Sequence, residues 1–425
     1  MSKSNSTPTT TTNTADTSTD ALHTSSSDIE ISLSQRLKNL STEDDELNAN
    51  LNDHTLDSDD DAANQNNNIN THATHAIKSA KEIQLEQEAE LLEQSMTSDQ
   101  KQIKLLIHEF RSRIEPHVIQ WQDKSELVRE SSLDRVLIKF LTARKYDMNK
   151  SIDMWLSTVQ WRYDMNIDSI LDEPYRDGTR INQTLNNQCD HKYDKFGRSV
   201  YYECVGKLEP NKIFNLLTMD DMLAYQRHNT EYRRKYVMSI GSIRMNRSID
   251  QITSIVDLHG VGVKHMKSTI YKFLKQLAQI NQSYYPEFLG RLLIINAPSA
   301  FSVAWKMIRP WLADRVRAKI SIHNNIPYNE LLSLIDKENL PKEYGGMCTC
   351  PGGCLTNGSL LHKYYIGICQ YGISGMSVKN ELFNDIVKLN QLMNIPEIYD
   401  NLLNDLHEKY KPFMQQHFPV IATQK

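Results

Sequence analysis

Polar residues dominate the first 75 positions, and a helical period sets in at about residue 76. From there AIKSAKEIQLEQEAELLEQSM is built of good helix formers, and KQIKLLIHEFRSRIEPHVIQW repeats apolar residues at helical spacing. SSLDRVLIKFLTARKYD opens on a Ser-Ser-Leu-Asp capping signal and puts Leu133, Val136, Leu137, Phe140 and Leu141 on one face. NKSIDMWLSTVQWRYDM repeats the pattern with Ile152, Trp155, Leu156, Val159 and Trp161. These periods predict an all-helical lead-in over about 100–170. Beyond it the pattern shortens. SVYYECV (199–205), ITSIVDL (252–258), RLLIINA (291–297) and KISIH (319–323) are compact runs rich in β-branched and aromatic residues, bounded by Gly, Pro or Asp, and read as buried strands. DDMLAYQRHNTEYRRKY, HMKSTIYKFLKQLAQINQSYY and a further helix after residue 298 lie between them, so strand and helix alternate as in a mainly parallel sheet. Past Leu355, VKNELFNDIVKLNQLMN and IPEIYDNLLNDLHEKY predict two more amphipathic helices, to which no chemistry attaches.

One helix carries more apolar surface than a single partner needs. At 100° per residue, Ala300, Phe301, Val303, Ala304, Trp305, Met307, Ile308, Trp311 and Leu312 fill an arc of roughly 200°, twice the stripe of about 100° that suffices for a helix on a globular core. Ser299, Ser302, Lys306, Arg309 and Pro310 fill the rest. Either this helix is buried beneath another element, or its surplus face meets something outside the fold; the residues alone weigh the two equally.

Charge divides the chain. The formal net charge is -5, but residues 1–100 carry 19 acidic and 5 basic side chains, an acidic tail on a basic body. MSKSNSTPTTTTNTADTSTD and DSDDDAANQNNNIN are too poor in apolar groups to offset their ordering entropy, and disorder is expected there. No run reaches the 18 apolar residues of a membrane span and no signal peptide opens the chain, so a soluble intracellular protein is expected. Six cysteines fit a reducing compartment. Three of them, Cys348, Cys350 and Cys354, crowd into MCTCPGGC, a zinc set one ligand short. His362 could complete it, but a loop of reduced thiols is the simpler reading, and neither a metal nor a cofactor is expected. Enzymatic signatures are missing too: no GxSxG elbow, Walker loop, GxGxxG after a strand or HExxH occurs. Asp257, His259 and His265 in DLHGVGVKH could serve acid/base chemistry, but no nucleophile accompanies them, and a glycine turn after a strand explains them.

Six motifs in order, FLTARKYD, KYDKFGRSVYYECVGKLEPNKI, TSIVDLHGVGVKH, YYPEFLGRLLIINAPSAF, RAKISIH and ENLPKEYGGMC, resemble the Sec14-like (CRAL-TRIO) phosphatidylinositol transfer proteins over about residues 100–355, most closely the fungal and plant members. The resemblance implies an α/β fold in which a helical lobe precedes a mainly parallel sheet flooring a hydrophobic cavity closed by a gate helix. It divides the chain into a disordered tail (1–95), a helical lobe (96–175), a lipid-binding domain (176–350) and a C-terminal helical extension (351–425). The gate would be the wide-faced helix, with Phe301, Trp305, Met307, Ile308 and Trp311 meeting acyl chains or bilayer, and with Lys306, Arg309, Arg315 and Arg317 near anionic headgroups, each contributing roughly 1 kcal/mol there. By motif, the phosphatidylinositol ligands would be Arg144, Glu287 and Lys319: cations for the phosphodiester, a carboxylate for inositol hydroxyls.

Two departures stand out. Val316 replaces a threonine of the family pattern, removing a hydroxyl that faces the phosphate. Of the residues for phosphatidylcholine, Asp190 and Ile252 replace a tyrosine and a hydroxyl, leaving Tyr201 and Ser254, so a different second lipid, such as a sterol, is expected to share the pocket. The implied function is non-enzymatic exchange or presentation of phosphatidylinositol in support of phosphoinositide synthesis and vesicle trafficking. It would be carried out by a cytoplasmic monomer that touches membranes transiently, Golgi membranes being the family expectation, and that serves phosphoinositide kinases; nucleic acid is not expected as a partner. The alternative is a lipid sensor that uses the same pocket for another hydrophobe.

Overall fold

The computed structural model describes residues 97–418, apart from 131–133, 176–177, 186, 356–358, 378–379 and 392–395. The acidic tail, the helix-forming run from residue 76 and the Ser131–Leu133 part of the capping signal lie outside the described residues.

The helical lead-in forms α1 (Ser98–Trp121), α2 (Glu126–Glu130), α3 (Asp134–Ala143) and α4 (Met148–Asp164). Asp147 caps α4 by accepting the Lys150 backbone N–H, which satisfies a donor that the first turn leaves open. The apolar faces read from the sequence close on one another: Leu137, Leu141, Trp155 and Val159 are fully buried, with Phe110, Ile114 and Phe140 among them. Trp161 instead stacks on Tyr284, with ring centroids 4.2 Å apart.

After α5 (Gly178–Thr184) the chain builds a five-stranded sheet in the order β1 (Gln188–Tyr193), β2 (Ser199–Cys204), β3 (Ile252–Asp257), β4 (Leu289–Ile295) and β5 (Ile320–Ile322). β1 and β2 are antiparallel, and every other neighbour is parallel. Parallel neighbours need crossovers. α6 (Pro210–Leu216), α7 (Met219–Tyr232) and α8 (Met238–Met245) lie between β2 and β3, α9 (Ser268–Tyr284) between β3 and β4, and α10 (Phe301–Ile308) and α11 (Asp314–Ala318) between β4 and β5. A π-helical turn, Arg233–Val237, joins α7 to α8.

Alternation along the strands gives the sheet two different faces. Val200, Tyr202, Ile255, Leu293 and Ile295 pack under Leu331 of α12 (Tyr328–Leu334) and under Leu340 and Tyr344. Tyr201, Ser254, Val256, Leu292 and Ile320 look the other way.

All four strands expected from the sequence are present, and β1 is an addition. QCDHKY has no alternation and no β-branched residue; what makes it a strand is pairing along the outer edge of β2, with a bulge between Asp190 and Tyr193 and Lys192 at φ 55°. The C-terminal part also differs, since among the described residues three helices follow residue 355 rather than two: α13 (Leu360–Ser377), α14 (Glu381–Gln391) and α15 (Pro396–His417). Tyr365, Ile368, Phe383, Leu389 and Leu403 bury against Tyr232, Tyr236, Ile240 and Ile243 of α7, the π turn and α8. α13 breaks at Gly372 (φ 67°, ψ 175°), where a Cβ would lie 2.3 Å from the Asp172 carbonyl oxygen, so only glycine fits. Among the described residues no helix is long and apolar enough to cross a membrane.

Candidate functional site

α9 is amphipathic in sequence, yet none of its residues is fully buried. The reason is a cavity of about 720 Å³ between its inner face and the sheet. Phe273, Leu274 and Leu277 of α9 form one wall, Val256, Leu292 and Ile320 the floor. Phe301, Trp305 and Ile308 of α10, with Leu312, close it.

The wide apolar arc of the closing helix is thereby explained, and its shape corrected. The helix expected over 299–312 is α10 followed by a 3₁₀ turn, Arg309–Trp311, entered at Pro310, whose missing N–H ends the α-helical ladder. Phe301, Trp305 and Ile308 face inward, Ala304 is buried, and Trp311 turns edge-on to Tyr271 of α9. Val303, 63% exposed, and Met307, 44% exposed, face outward. One side of the helix thus lines the cavity while the other offers apolar side chains to whatever lies outside.

Charge gathers at one end of the cavity. Glu287, held at φ 54°, accepts from Lys319 Nζ at 2.7 Å and from Arg315 Nε at 3.1 Å, and Lys319 Nζ also donates to the Leu289 carbonyl at 2.7 Å. Burial alone would push the Glu287 carboxyl up, but Lys319 and Arg315 outweigh it and hold it below the ordinary carboxylate value. Arg144 and Lys145 reach the same lining from the end of α3, and Arg144 Nη1 makes a long 3.4 Å bond to the Ala143 carbonyl. Arg144, Lys145, Arg315 and Lys319 thus line the same cavity as Glu287 and Asp314, and of these cations Lys319 and Arg315 pair with Glu287. The surplus is positive, beside a carboxylate that can accept hydroxyl donors. Val316 lines the same region and adds only methyl groups.

The polar residues on β2 and β3 form a second group. Tyr201 and Ser254 are register partners and both line the cavity. The Tyr201 hydroxyl bonds to Gln188 and to Glu203 Oε2, the latter at 3.2 Å. Arg233 lies over the Tyr201 ring at 4.0 Å and donates from Nε to both Asp190 carboxylate oxygens at 2.9 Å. Burial pushes the Glu203 carboxyl up. Arg233, Gln188 and Glu203 were not singled out from the sequence. Their roles follow from β1, which carries no strand pattern of its own: only once Asp190 lies on a buried strand does it demand a cation, which Arg233 supplies.

The acid/base candidates serve the fold. His265 accepts the Gly262 N–H at Nδ1 (3.1 Å) and bonds to the Leu208 carbonyl through Nε2 (3.1 Å). Asp257 accepts the His259 N–H, the Asn296 side-chain amide and the Tyr344 hydroxyl.

The site is thus an apolar internal cavity in an α/β domain, covered by a helix and carrying cations in its lining. Residues 185–346 match the CRAL/TRIO domain, and residues 101–157 match the CRAL/TRIO N-terminal domain. The chain is 32% identical to the Sec14 cytosolic factor of Schizosaccharomyces pombe, over 52% of this chain and 77% of that one. It is 36% identical to the phosphatidylinositol/phosphatidylcholine transfer protein SFH7 of Arabidopsis thaliana, over 52% of this chain and 41% of the relative. The chain thus belongs to the Sec14-like CRAL-TRIO family, and it spans about two fifths of the length of the plant relatives it matches. The crystal structure of Sfh5 aligns over 64% of this chain and 98% of that one at 19% identity, with a TM-score of 0.48.

Proposed function

We propose that this protein carries phosphatidylinositol, enclosing its acyl chains in the cavity and exchanging it between membranes or presenting it to phosphoinositide kinases. One observation supports this above the others: a mainly apolar cavity of about 720 Å³ is lined by Arg144, Glu287 and Lys319, with Glu287 paired to Lys319 and Arg315. Cations suit a phosphodiester, and Glu287 suits inositol hydroxyls. The family relationship supports the same reading, since SFH7 and the S. pombe Sec14 cytosolic factor are its relatives. No covalent step is needed. Desorbing a lipid exposes about 0.8 kcal/mol of apolar surface per CH₂, and a lining of Phe273, Leu277 and Leu292 replaces those contacts. α10 acts as the gate, with Val303 and Met307 as its membrane-facing side, so that contact with bilayers is peripheral and transient.

The polar group around Tyr201 favours a second ligand other than phosphatidylcholine. Asp190 is paired with Arg233, Ile252 brings no hydroxyl, and a hydrogen-bonded Tyr201–Gln188–Glu203 set suits a neutral hydroxyl such as that of a sterol. Mass spectrometry of the lipids retained after incubation with mixed liposomes tests both parts. Phosphatidylinositol is expected among the bound lipids together with a second, choline-free species. A protein that returns only sterol or another neutral hydrophobe refutes the phosphoinositide reading and leaves the sensor alternative.

A further inference from the structure

On the face of the sheet opposite the cavity, the three clustered thiols acquire a fourth partner. MCTCPGGC doubles back through Gly352 and Gly353, at φ 90° and 91°, and brings Cys348, Cys350 and Cys354 together. The completing residue is His191 of β1, not His362. The candidate ligand atoms of His191 and the three cysteines lie within 4.8 Å of one another, and the Cys348 and Cys350 sulfurs are 3.7 Å apart. A tetrahedral zinc ion, with Zn–S of about 2.3 Å and Zn–N of about 2.0–2.1 Å, sets its ligand atoms about 3.5–3.8 Å from one another. His191 is 1% exposed, and its Nε2 has no hydrogen-bond partner among the described residues. An orphaned polar atom in a protein interior is rare and calls for an explanation. The Cys350 backbone N–H points at Cys354 Sγ at 3.3 Å, the kind of outer contact that supports a metal-bound thiolate.

We propose that His191, Cys348, Cys350 and Cys354 bind one structural zinc ion that staples edge strand β1 to the segment leading from the sheet into α13. Three soft thiolates and an imidazole select zinc over the hard cations magnesium and calcium. Four protein ligands leave no open coordination position, which makes the site structural rather than catalytic. Binding displaces the three thiol protons to solvent. Alternation along β1 puts His191 on the same face as Cys189, under the segment that carries the thiols, while Asp190 between them faces Arg233.

The test is the metal content of the full chain purified under reducing conditions, in zinc-supplemented medium and without chelator. About one zinc per chain is expected, and Co²⁺ exchanged into the site should give the visible absorption of a tetrahedral thiolate complex. Cys350→Ser should lose the zinc, His191→Ala should bind it at least tenfold more weakly, and Cys369→Ser, whose thiol lies outside the cluster, should keep it. Should the site variants fail to fold, alkylation of the wild type decides: Cys348, Cys350 and Cys354 should be protected until a chelator is added, while metal-free protein alkylates at all three. Less than about a tenth of an equivalent of zinc in the wild type overturns the proposal. So does a Cys348–Cys350 disulfide found by peptide mapping, or a full equivalent of zinc in Cys350→Ser.

Discussion

Truncating Lys319 to alanine should weaken phosphatidylinositol binding by about 10- to 150-fold. Lys319 Nζ is held by Glu287 Oε2 and by the Leu289 carbonyl, both at 2.7 Å, which fixes the ammonium in the cavity lining. A hydrogen bond to a charged group contributes about 1.5–3 kcal/mol net, and each 1.4 kcal/mol is a factor of ten. The fold should survive, because Glu287 keeps Arg315 at 3.1 Å. That remaining pair is partly exposed on the arginine side, however, and is worth no more than about 1 kcal/mol. Titration with a fluorescent phosphatidylinositol analogue, run beside a neutral analogue of equal chain length, reads the effect. The loss must be confined to the charged lipid. Binding within twofold of wild type, or an equal loss for both probes, would refute the headgroup role of Lys319. Glu287→Gln separates two further roles: if the carboxylate accepts inositol hydroxyls, preference for phosphatidylinositol over phosphatidic acid falls, whereas a mere counter-ion to Lys319 leaves that preference unchanged.

Two other perturbations test the cover and the frame. Val303→Asp with Met307→Asp should reduce association with vesicles by about tenfold or more, since burying one such side chain is worth about 1.5–3 kcal/mol, while lipid already enclosed in solution stays bound; flotation at unchanged strength would remove α10 from the membrane contact. Glu231, fully buried, accepts from Arg162 at 2.9 Å, Arg234 at 2.8 Å and the Tyr285 hydroxyl at 2.9 Å. Burial pushes its carboxyl up, but Arg162 and Arg234 overcome this and hold it far below the ordinary value. A depressed carboxylate stabilises the fold above its unfolded value, about pH 4.3, and that stability drains away as pH falls through the folded value. Glu231→Ala should cost about 3–5 kcal/mol in denaturant unfolding near neutral pH, and Glu231→Gln should flatten the acid limb of stability against pH; an unchanged acid limb would place the titration elsewhere.

What the sequence discloses follows from how local each signal is. Periodicity within one segment sufficed for α3 and α4, whose apolar faces bury Leu137, Leu141, Trp155 and Val159 as read. Runs such as ITSIVDL sufficed for the parallel strands, because a strand covered on both faces announces itself by composition. Surplus apolar surface on α10 was legible for the same reason, being a property of one helical wheel. β1 was not legible: its hydrogen bonds go to β2 across a turn, and QCDHKY has no pattern of its own. α13 was missed because it is apolar on several sides and carries Gly372 where a helix would not be expected to continue. Arg144, Glu287 and Lys319 came from motif, and the structure brings all three to one cavity. Arg233 was out of reach because its role depends on Asp190, whose inward direction only the fold reveals.

The same strand joins the two sites. β1 is a single edge strand, and an edge strand is held by one neighbour only. Asp190 faces the cavity side and engages Arg233, which lies over Tyr201 and so shapes the polar wall of the cavity. His191, the next residue, faces the opposite side and the thiol cluster. Ser359, at the entry to α13, bonds to the Asp190 carbonyl, so the chain leaving the cluster is fastened to the same residue. A metal at His191 therefore fixes the position of Asp190 without touching the cavity. Loss of zinc should then be felt first at the Tyr201 end, in the lipid held against that polar group, if the proposed second ligand binds there, while the Lys319 end, anchored on β4 and on the chain entering β5, keeps its geometry.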